Sequence, residues 1–460
     1  MIKPDLSLSP AQLLPAVEHL FDVSGQKLTG MFQKWNPAKG TPVYTVEGQY
    51  TSRGWTEWTQ GFMFGSAILQ FDATGDQRFL TLGRDGTLNY MASHISHIGV
   101  HDHGFNNVST YGNLLRLMNE GKIEYDGWER NFYELALKLT GAIQAARWTQ
   151  LNDQEGYVYS FNGPHSLFSD TIRSMRALVV SHQLGHALMA ERDRKINLLE
   201  RMIVHANTTS KYNVYFGEQR DLYDLRGRVV HESIFNTNDG SYRCPSTQQG
   251  YSPFSTWTRG LAWILTGYAE ELEYLDTLSE DELAPYGGKK AIMASFLRTA
   301  KATADFLIEY SPTDGIPYWD TGAPGLMHLG DYLNRASEPY NEHEPIDSSA
   351  AAIAAQGYLR LGKFLQHHQE EQAGKHYEQV GLTMAKHLFS QPYLSEDPQH
   401  EGLILHSVYH RPNNWDHIPD GRKIPCDEAT MWGDYHAREL ALMILRQAKG
   451  EPYYTFFLHA

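Results

Sequence analysis

Apolar residues recur at spacings of three and four along almost the whole chain, the period of a helix with one buried stripe. They mark about twelve helices, near residues 11–36, 58–72, 77–94, 105–119, 127–148, 170–186, 193–207, 256–272, 288–310, 347–366, 374–390 and 432–448. Alternation with a period of two is sparse, so few strands are expected. Three stretches, 208–255, 311–346 and 391–431, keep no helical period. Loops of that length in a compact domain usually serve a site or cover one. No Pro- or Ser-rich linker divides the pattern, which predicts one domain over residues 1–460, with residues 1–40 forming its first outer-helix region.

The helical segments alternate between two classes. One begins with short polar, aromatic or Gly-containing signatures: WTEWTQGF, HDHGF, FSDTIRSM, WTRGLAW, DSSAAAIAA and WGDYHAREL. These are poor in charge and rich in Ala and Gly, as helices buried on both sides should be. The other class, such as GWERNFYELALKLTGAIQAARW and KKAIMASFLRTAKATADFL, is charged on one face and apolar on the other. The alternation predicts an all-α (α/α)6 toroid: six helical hairpins closed into a ring, inner helices buried and outer ones amphipathic. In such a ring the inner helices run parallel, so the six signature loops converge on one cavity.

Composition narrows the function. With 41% hydrophobic, 12% aromatic and 20% charged residues the chain is a folded globular protein. No stretch approaches the about 18 uninterrupted apolar residues of a membrane span, and the start MIKPDLSLSPAQLLP lacks the apolar core of a signal peptide. A cytoplasmic protein with no membrane partner is expected, as a monomer or small homo-oligomer. Only Cys244 and Cys426 occur, too few for a disulfide framework or a thiolate metal site. A net charge of −15 argues against nucleic acid, which needs a basic face. A small anionic ligand stays open, since one arginine in a cleft outweighs a distant negative surface.

The stretch GVHDHGFNN, residues 99–107, admits three readings. His101, Asp102 and His103 alternate in direction on an extended backbone, and neither HExxH nor a Cys pair accompanies them, which disfavours a metal. Taken alone, Asp102 before a Gly and a helical run reads as a helix cap worth about 1 kcal/mol. It does not stand alone, because Asp170 in HSLFSDTIRSM enters another inner helix. Two carboxylates at one cavity can shift each other's pKa, the usual equipment of glycoside chemistry. Aromatic clefts with few polar groups also describe terpene cyclases and plain binding proteins, so residue types alone leave these open.

Six motifs in order, WTQGFMFG, HDHGF, SDTIRSM, TQQGYSPFSTWTRGLAW, DSSAAAIAAQGYL and WGDYHARELAL, resemble glycoside hydrolase family 88, the unsaturated glucuronyl hydrolases. The resemblance runs from Trp58 to the final helix and implies an (α/α)6 toroid with no catalytic metal and no cofactor. It implies hydrolysis of the 4,5-unsaturated glucuronyl residue that polysaccharide lyases leave at a non-reducing end, so the partner is an unsaturated uronic-acid-containing oligosaccharide. By resemblance Asp170 is the general acid/base that protonates C4 while water adds at C5. Asp102 is the second essential carboxylate. Trp58, His101, His231, Gln249, Arg259 and Trp263 match residues that contact the sugar. Kept as alternatives are an unsaturated rhamnogalacturonyl hydrolase acting on pectin-derived disaccharides and a non-catalytic sugar-binding toroid.

The plainer roles are stated beside these. Arg259 fits a carboxylate bidentately, but a helix-start arginine also pairs with a nearby Asp or Glu. Trp263 shares a helical face with Arg259, though a Trp on a buried helix is commonly core. His101 orients Asp102 or the substrate, or is a satisfied core histidine. Asp347 and Ser348 read as a helix cap, Asp434 closes the ring and Trp432 touches the sugar. Three departures from the family pattern, His103, the charged run IRSMRAL and Leu261, bear on substrate preference more than on mechanism.

Overall fold

The computed structural model describes residues 1–53 and 57–457; the opening residues of WTEWTQGF fall outside these. Helix α1 (Pro10–Lys34) is followed by inner α2 (Gln60–Thr74) and outer α3 (Gln77–Tyr90). Inner α4 starts at His103–Asn107, passes a π-helical turn at Val108–Gly112 and continues as Asn113–Asn119; its outer partner is α5 (Gly127–Ala146). Then inner and outer alternate: α6 (Thr171–Gln183), α7 (Leu198–Asn213), α8 (Thr258–Thr277), α9 (Lys289–Glu309), α10 (Ser348–His367), α11 (Glu371–Leu388) and α12 (Met431–Lys449). Each inner helix packs on the next and α12 returns to α2, so the ring closes, with α1 as the outer partner of α12. The fold is an (α/α)6 toroid.

Burial follows the two sequence classes. Every residue of α10 from Ser348 to Gly362 is buried, which small Ala, Ser and Gly side chains permit. In α9 the buried residues, among them Ile292, Phe296, Thr299, Thr303 and Phe306, form one stripe at three-and-four spacing. Each buried Leu, Ile or Phe contributes about 1.5–3 kcal/mol. One boundary differs by several residues: the helix expected over 193–207 is α7, which starts at Leu198. The chain before it forms a two-residue-per-strand hairpin, Leu188–Met189 with Lys195–Ile196, and the Asn197 side chain caps the helix by accepting from Leu199 N and Glu200 N.

The charges of IRSMRAL are buried and paired. Arg173 Nε lies 2.7 Å from Glu270 Oε2 and its Nη2 3.3 Å from Glu439 Oε2. Arg176 Nε donates to Gly104 O on α4 at 2.8 Å. The C-terminal segment seals this end of the ring: Tyr454 OH donates to Glu439 Oε1 at 2.9 Å, with Asn113 Oδ1 also 3.1 Å from it. No helix is long and apolar enough to cross a membrane among the described residues.

At the opposite end lies a small antiparallel sheet, β1 (Ser166–Phe168), β2 (Glu232–Phe235) and β3 (Tyr242–Ser246), with Phe168 opposite Glu232 and Glu232 opposite Ser246. Ser169 N donates to His231 O at 2.8 Å. The sheet thereby sets the entry of α6 beside His231.

Candidate active site

Asp102 and Asp170 each stand just before an inner helix, and neither caps it. The cap that HDHGF allows when taken alone is therefore not formed. The reason is backbone geometry: a capping residue is extended, whereas Asp102 has φ −88 and ψ 18 and Asp170 φ −71 and ψ −18. Asp347, at φ −126 and ψ 93, does cap, accepting from Ser349 N. The two uncommitted carboxylates instead line one aromatic-walled funnel at the N-terminal mouth of the ring.

His101 joins them. Its Nε2 lies 3.2 Å from Asp170 Oδ2 and 4.0 Å from Asp102 Oδ1. Its Nδ1 is buried and meets no hydrogen-bonding group among the described residues, so the ring is not a satisfied core histidine. His231, 2% exposed, lies behind the opposite oxygen of Asp170, with Nε2 3.7 Å from Oδ1. Its Nδ1 accepts from Gln248 N at 2.9 Å and Gln249 N at 3.4 Å, which puts the ring proton on Nε2, facing Asp170.

This arrangement separates the two carboxyls. Burial raises Asp102 above the ordinary carboxylate value, and the charge of Asp170 adds to the rise against His101 and Arg147. Burial also acts to raise Asp170, but the imidazoles of His101 and His231 outweigh it and hold this carboxyl well below the usual range. Burial lowers His101, yet Asp102 and Asp170 together bring it above its ordinary value. The charge of each group thus acts on the other two across a few ångströms.

Aromatic rings make the walls. Trp58 stacks on Trp432 at 5.2 Å, and Phe105 packs against Trp263 at 4.8 Å. Trp58, Gln249, Arg259 and Trp263 all reach the funnel, and Trp432 does as well. The guanidinium of Arg259 is already engaged. Its Nη1 pairs with Asp347 and donates to Val408 O at 2.7 Å; its Nη2 donates to Tyr409 O at 2.9 Å and Gln249 Oε1 at 3.3 Å. It also lies between Trp257, at 4.7 Å, and Trp432, at 5.2 Å. Arg259 therefore ties the mouths of α8 and α10 to the 408–409 loop, with its charge offset by Asp347. Asp434 pins another loop, accepting from Leu403 N, Ile404 N and Tyr50 OH.

Several lining residues were not singled out from the sequence: Phe161, Gln248, Trp257, Tyr409, His410 and Trp415. The signal was the aromatic-rich run SVYHRPNNW inside a long non-helical stretch. Asp416 holds this loop by accepting from Tyr409 N and His410 N; burial pushes its carboxyl up to about 6. Among the described residues no three His, Cys, Asp or Glu side chains group as metal ligands.

No family model matches the chain. It is similar to an unsaturated glucuronyl hydrolase of Formosa agariphila, 24% identical over 386 residues, 83% of this chain and 78% of that protein. A second unsaturated glucuronyl hydrolase, of Bacillus sp. strain GL1, is 25% identical over 417 residues, 86% of this chain and 89% of its own. The fold matches the crystal structure of an unsaturated glucuronyl hydrolase specific for heparin with a TM-score of 0.70 and 21% identity, covering 95% of this chain and 98% of the other. These likenesses extend over most of the chain, which resembles the unsaturated glucuronyl hydrolases of glycoside hydrolase family 88 in sequence and shares their fold.

Proposed function

We propose that this glycoside hydrolase removes the 4,5-unsaturated glucuronyl residue from the non-reducing end of lyase-generated oligosaccharides, with Asp170 as general acid/base and Asp102 as its partner. The observation that carries the reading is the presence of both carboxyls within reach of one imidazole nitrogen, in one aromatic funnel. In the empty funnel Asp170 is an anion. A uronate carboxylate entering beside it is a third negative charge and drives a proton onto it. Asp170 then gives that proton to C4 of the enol ether, and water bonds to C5 as its own proton passes back to Asp170. The resulting hemiketal at C5 opens and expels the aglycone. A well-placed proton contributes about 10²–10⁴ in rate. Asp102 holds sugar hydroxyls, and its charge tunes Asp170. Trp58 and Trp263 face the sugar ring, and Gln249 and Arg259 shape the wall against its carboxylate.

The substrate class follows the relatives, one of whose structures is of a heparin-specific enzyme; oligosaccharides from glycosaminoglycans are the first candidates. A single domain over residues 1–460, as a monomer or small homo-oligomer, belongs to the same reading. Cytoplasmic residence belongs to the same proposal and suits a product-processing enzyme acting on imported fragments. The test is a panel of lyase-generated unsaturated disaccharides, followed by loss of the double-bond absorbance. At least one is turned over, its saturated analogue is not, and Asp170→Asn loses activity by orders of magnitude with folding intact. Near-full activity in Asp170→Asn overturns the assignment.

A further inference from the structure

Glu232 is 1% exposed and opens β2 directly after His231, yet among the described residues it neither lines the funnel nor forms an ion pair. Burying a carboxylate without a counter-charge is costly unless several donors serve it. Three do, from three different segments. Ser166 Oγ on β1 donates to Oε1 at 2.5 Å and Asn162 Nδ2 at 3.0 Å, while Gln248 Nε2 donates to Oε2 at 3.2 Å. Against the burial that raises it, these donors hold the carboxyl below its ordinary value.

What each segment carries explains the arrangement. Asn162 follows Phe161, whose ring stacks on His101 at 6.1 Å. Ser166 opens the strand that leads through Phe168 to Asp170. Gln248 is exposed, and apart from Glu232 nothing else holds its side chain among the described residues. Its backbone N–H is the nearer of the two donors to His231 Nδ1, at 2.9 Å against 3.4 Å for Gln249 N. We propose that Glu232 is a positioning residue of the catalytic centre: by anchoring the Gln248 loop it keeps the His231 proton on Nε2, directed at Asp170 Oδ1. Without the anchor the Gln248 amide leaves Nδ1, and the ring is free to carry its proton there and present a bare Nε2 lone pair to the anion. A second-layer group that fixes an imidazole tautomer is worth about 10–100-fold in function.

The inference rests on the proposed role of Asp170, so its test has an arm independent of turnover. Nitrogen-15 histidine NMR of the full chain, with His231 assigned by comparison with His231→Gln among the 22 histidines, reads the tautomer directly. Wild type shows the Nε2–H form. Glu232→Met and, as the variant least able to disturb folding, Gln248→Leu show a population of the Nδ1–H form. In both, kcat on an unsaturated disaccharide falls about tenfold or more, with a displaced pH profile and KM within about threefold. Glu232→Gln, whose amide can serve the same donors once Gln248 turns its own, keeps the wild-type tautomer and most of kcat. Folded Glu232→Met or Gln248→Leu with an unchanged His231 tautomer overturns the proposal, whatever happens to kcat. So does a change confined to KM. If wild type turns over no unsaturated disaccharide, the function assignment fails, and the tautomer measurement still decides the role of Glu232.

Discussion

Gly104 of α4 stands so close to Ser174 of α6 that a Cβ on the glycine would lie 2.5 Å from the Ser174 Cα, and 2.8 Å from Arg173 O. Both obstacles are backbone, which cannot give way as a side-chain tip does. The glycine that follows His-Asp-His is therefore what lets the two aspartate-bearing helix entries approach, and Arg176 fastens the crossing through Gly104 O. Gly104→Ala is expected to force the helices apart, at about 1–3 kcal/mol for overpacking. It also lowers kcat/KM by separating Asp102 from Asp170. Gly30 in α1, whose Cβ would meet nothing within 4 Å, gives the contrast. Gly30→Ala adds about 0.5–1 kcal/mol with activity unchanged. Thermal unfolding with kcat/KM for each variant checks both.

The His101–Asp170 contact predicts opposite pH dependences for its two members. Asp170 lies below its unfolded value, so its stabilisation is present above about pH 4, the unfolded value, and is lost as pH falls through the folded one. His101 lies above its unfolded value, so its stabilisation is complete below about pH 6.5 and is lost as pH rises through the folded one. Urea unfolding of wild type against His101→Gln is expected to show a larger gap at acid than at alkaline pH. Against Asp170→Asn the gap closes on the acid side. A gap independent of pH in either pair contradicts the contact.

Twelve helices were legible because their two classes differ in charge and in residue size, a signal that accumulates over fifteen to twenty residues. The sheet was not. Strands of three to five residues are too short for a period of two to register, and Ser166–Phe168 pairs with a strand 64 or more residues further along the chain. Whether Asp102 caps its helix could not be read locally, because capping depends on the φ and ψ of the residue, which its neighbours in sequence do not disclose. The Asp347 partner of Arg259 lies 88 positions away. Nothing local to WTRGLAW announces it.

The buried ring charges predict a stability effect remote from the funnel. Glu439 is fully buried between Arg173 and Tyr454; burial would raise its carboxyl, but Arg173 and Arg176 bring it down to about 2. Glu439→Gln leaves both arginines short of counter-charge. An uncompensated buried charge costs about 3–5 kcal/mol. Urea unfolding is expected to show a loss of that size, with KM for substrate nearly unchanged because the mutation lies away from the sugar-facing walls.

Arg259 and Asp347 provide the last prediction, because their pairing makes single substitutions misleading. Arg259→Lys keeps a charge opposite Asp347 but cannot also serve Val408 O and Tyr409 O, so the 408–415 loop loosens. A fall in kcat/KM of about 10²-fold is expected. Asp347→Asn can still cap α10, yet it strands the Arg259 charge in a buried site and costs about 3–5 kcal/mol of stability. Arg259→Met combined with Asp347→Asn removes the stranded charge, so the double variant is more stable than the sum of the two single losses predicts, by about 1–3 kcal/mol. Urea unfolding of the full cycle measures this. Additivity within about 0.5 kcal/mol would mean that the two side chains do not act as a pair. The Arg259 fork would then be free to meet a uronate carboxylate, rather than bracing the wall the sugar rests on.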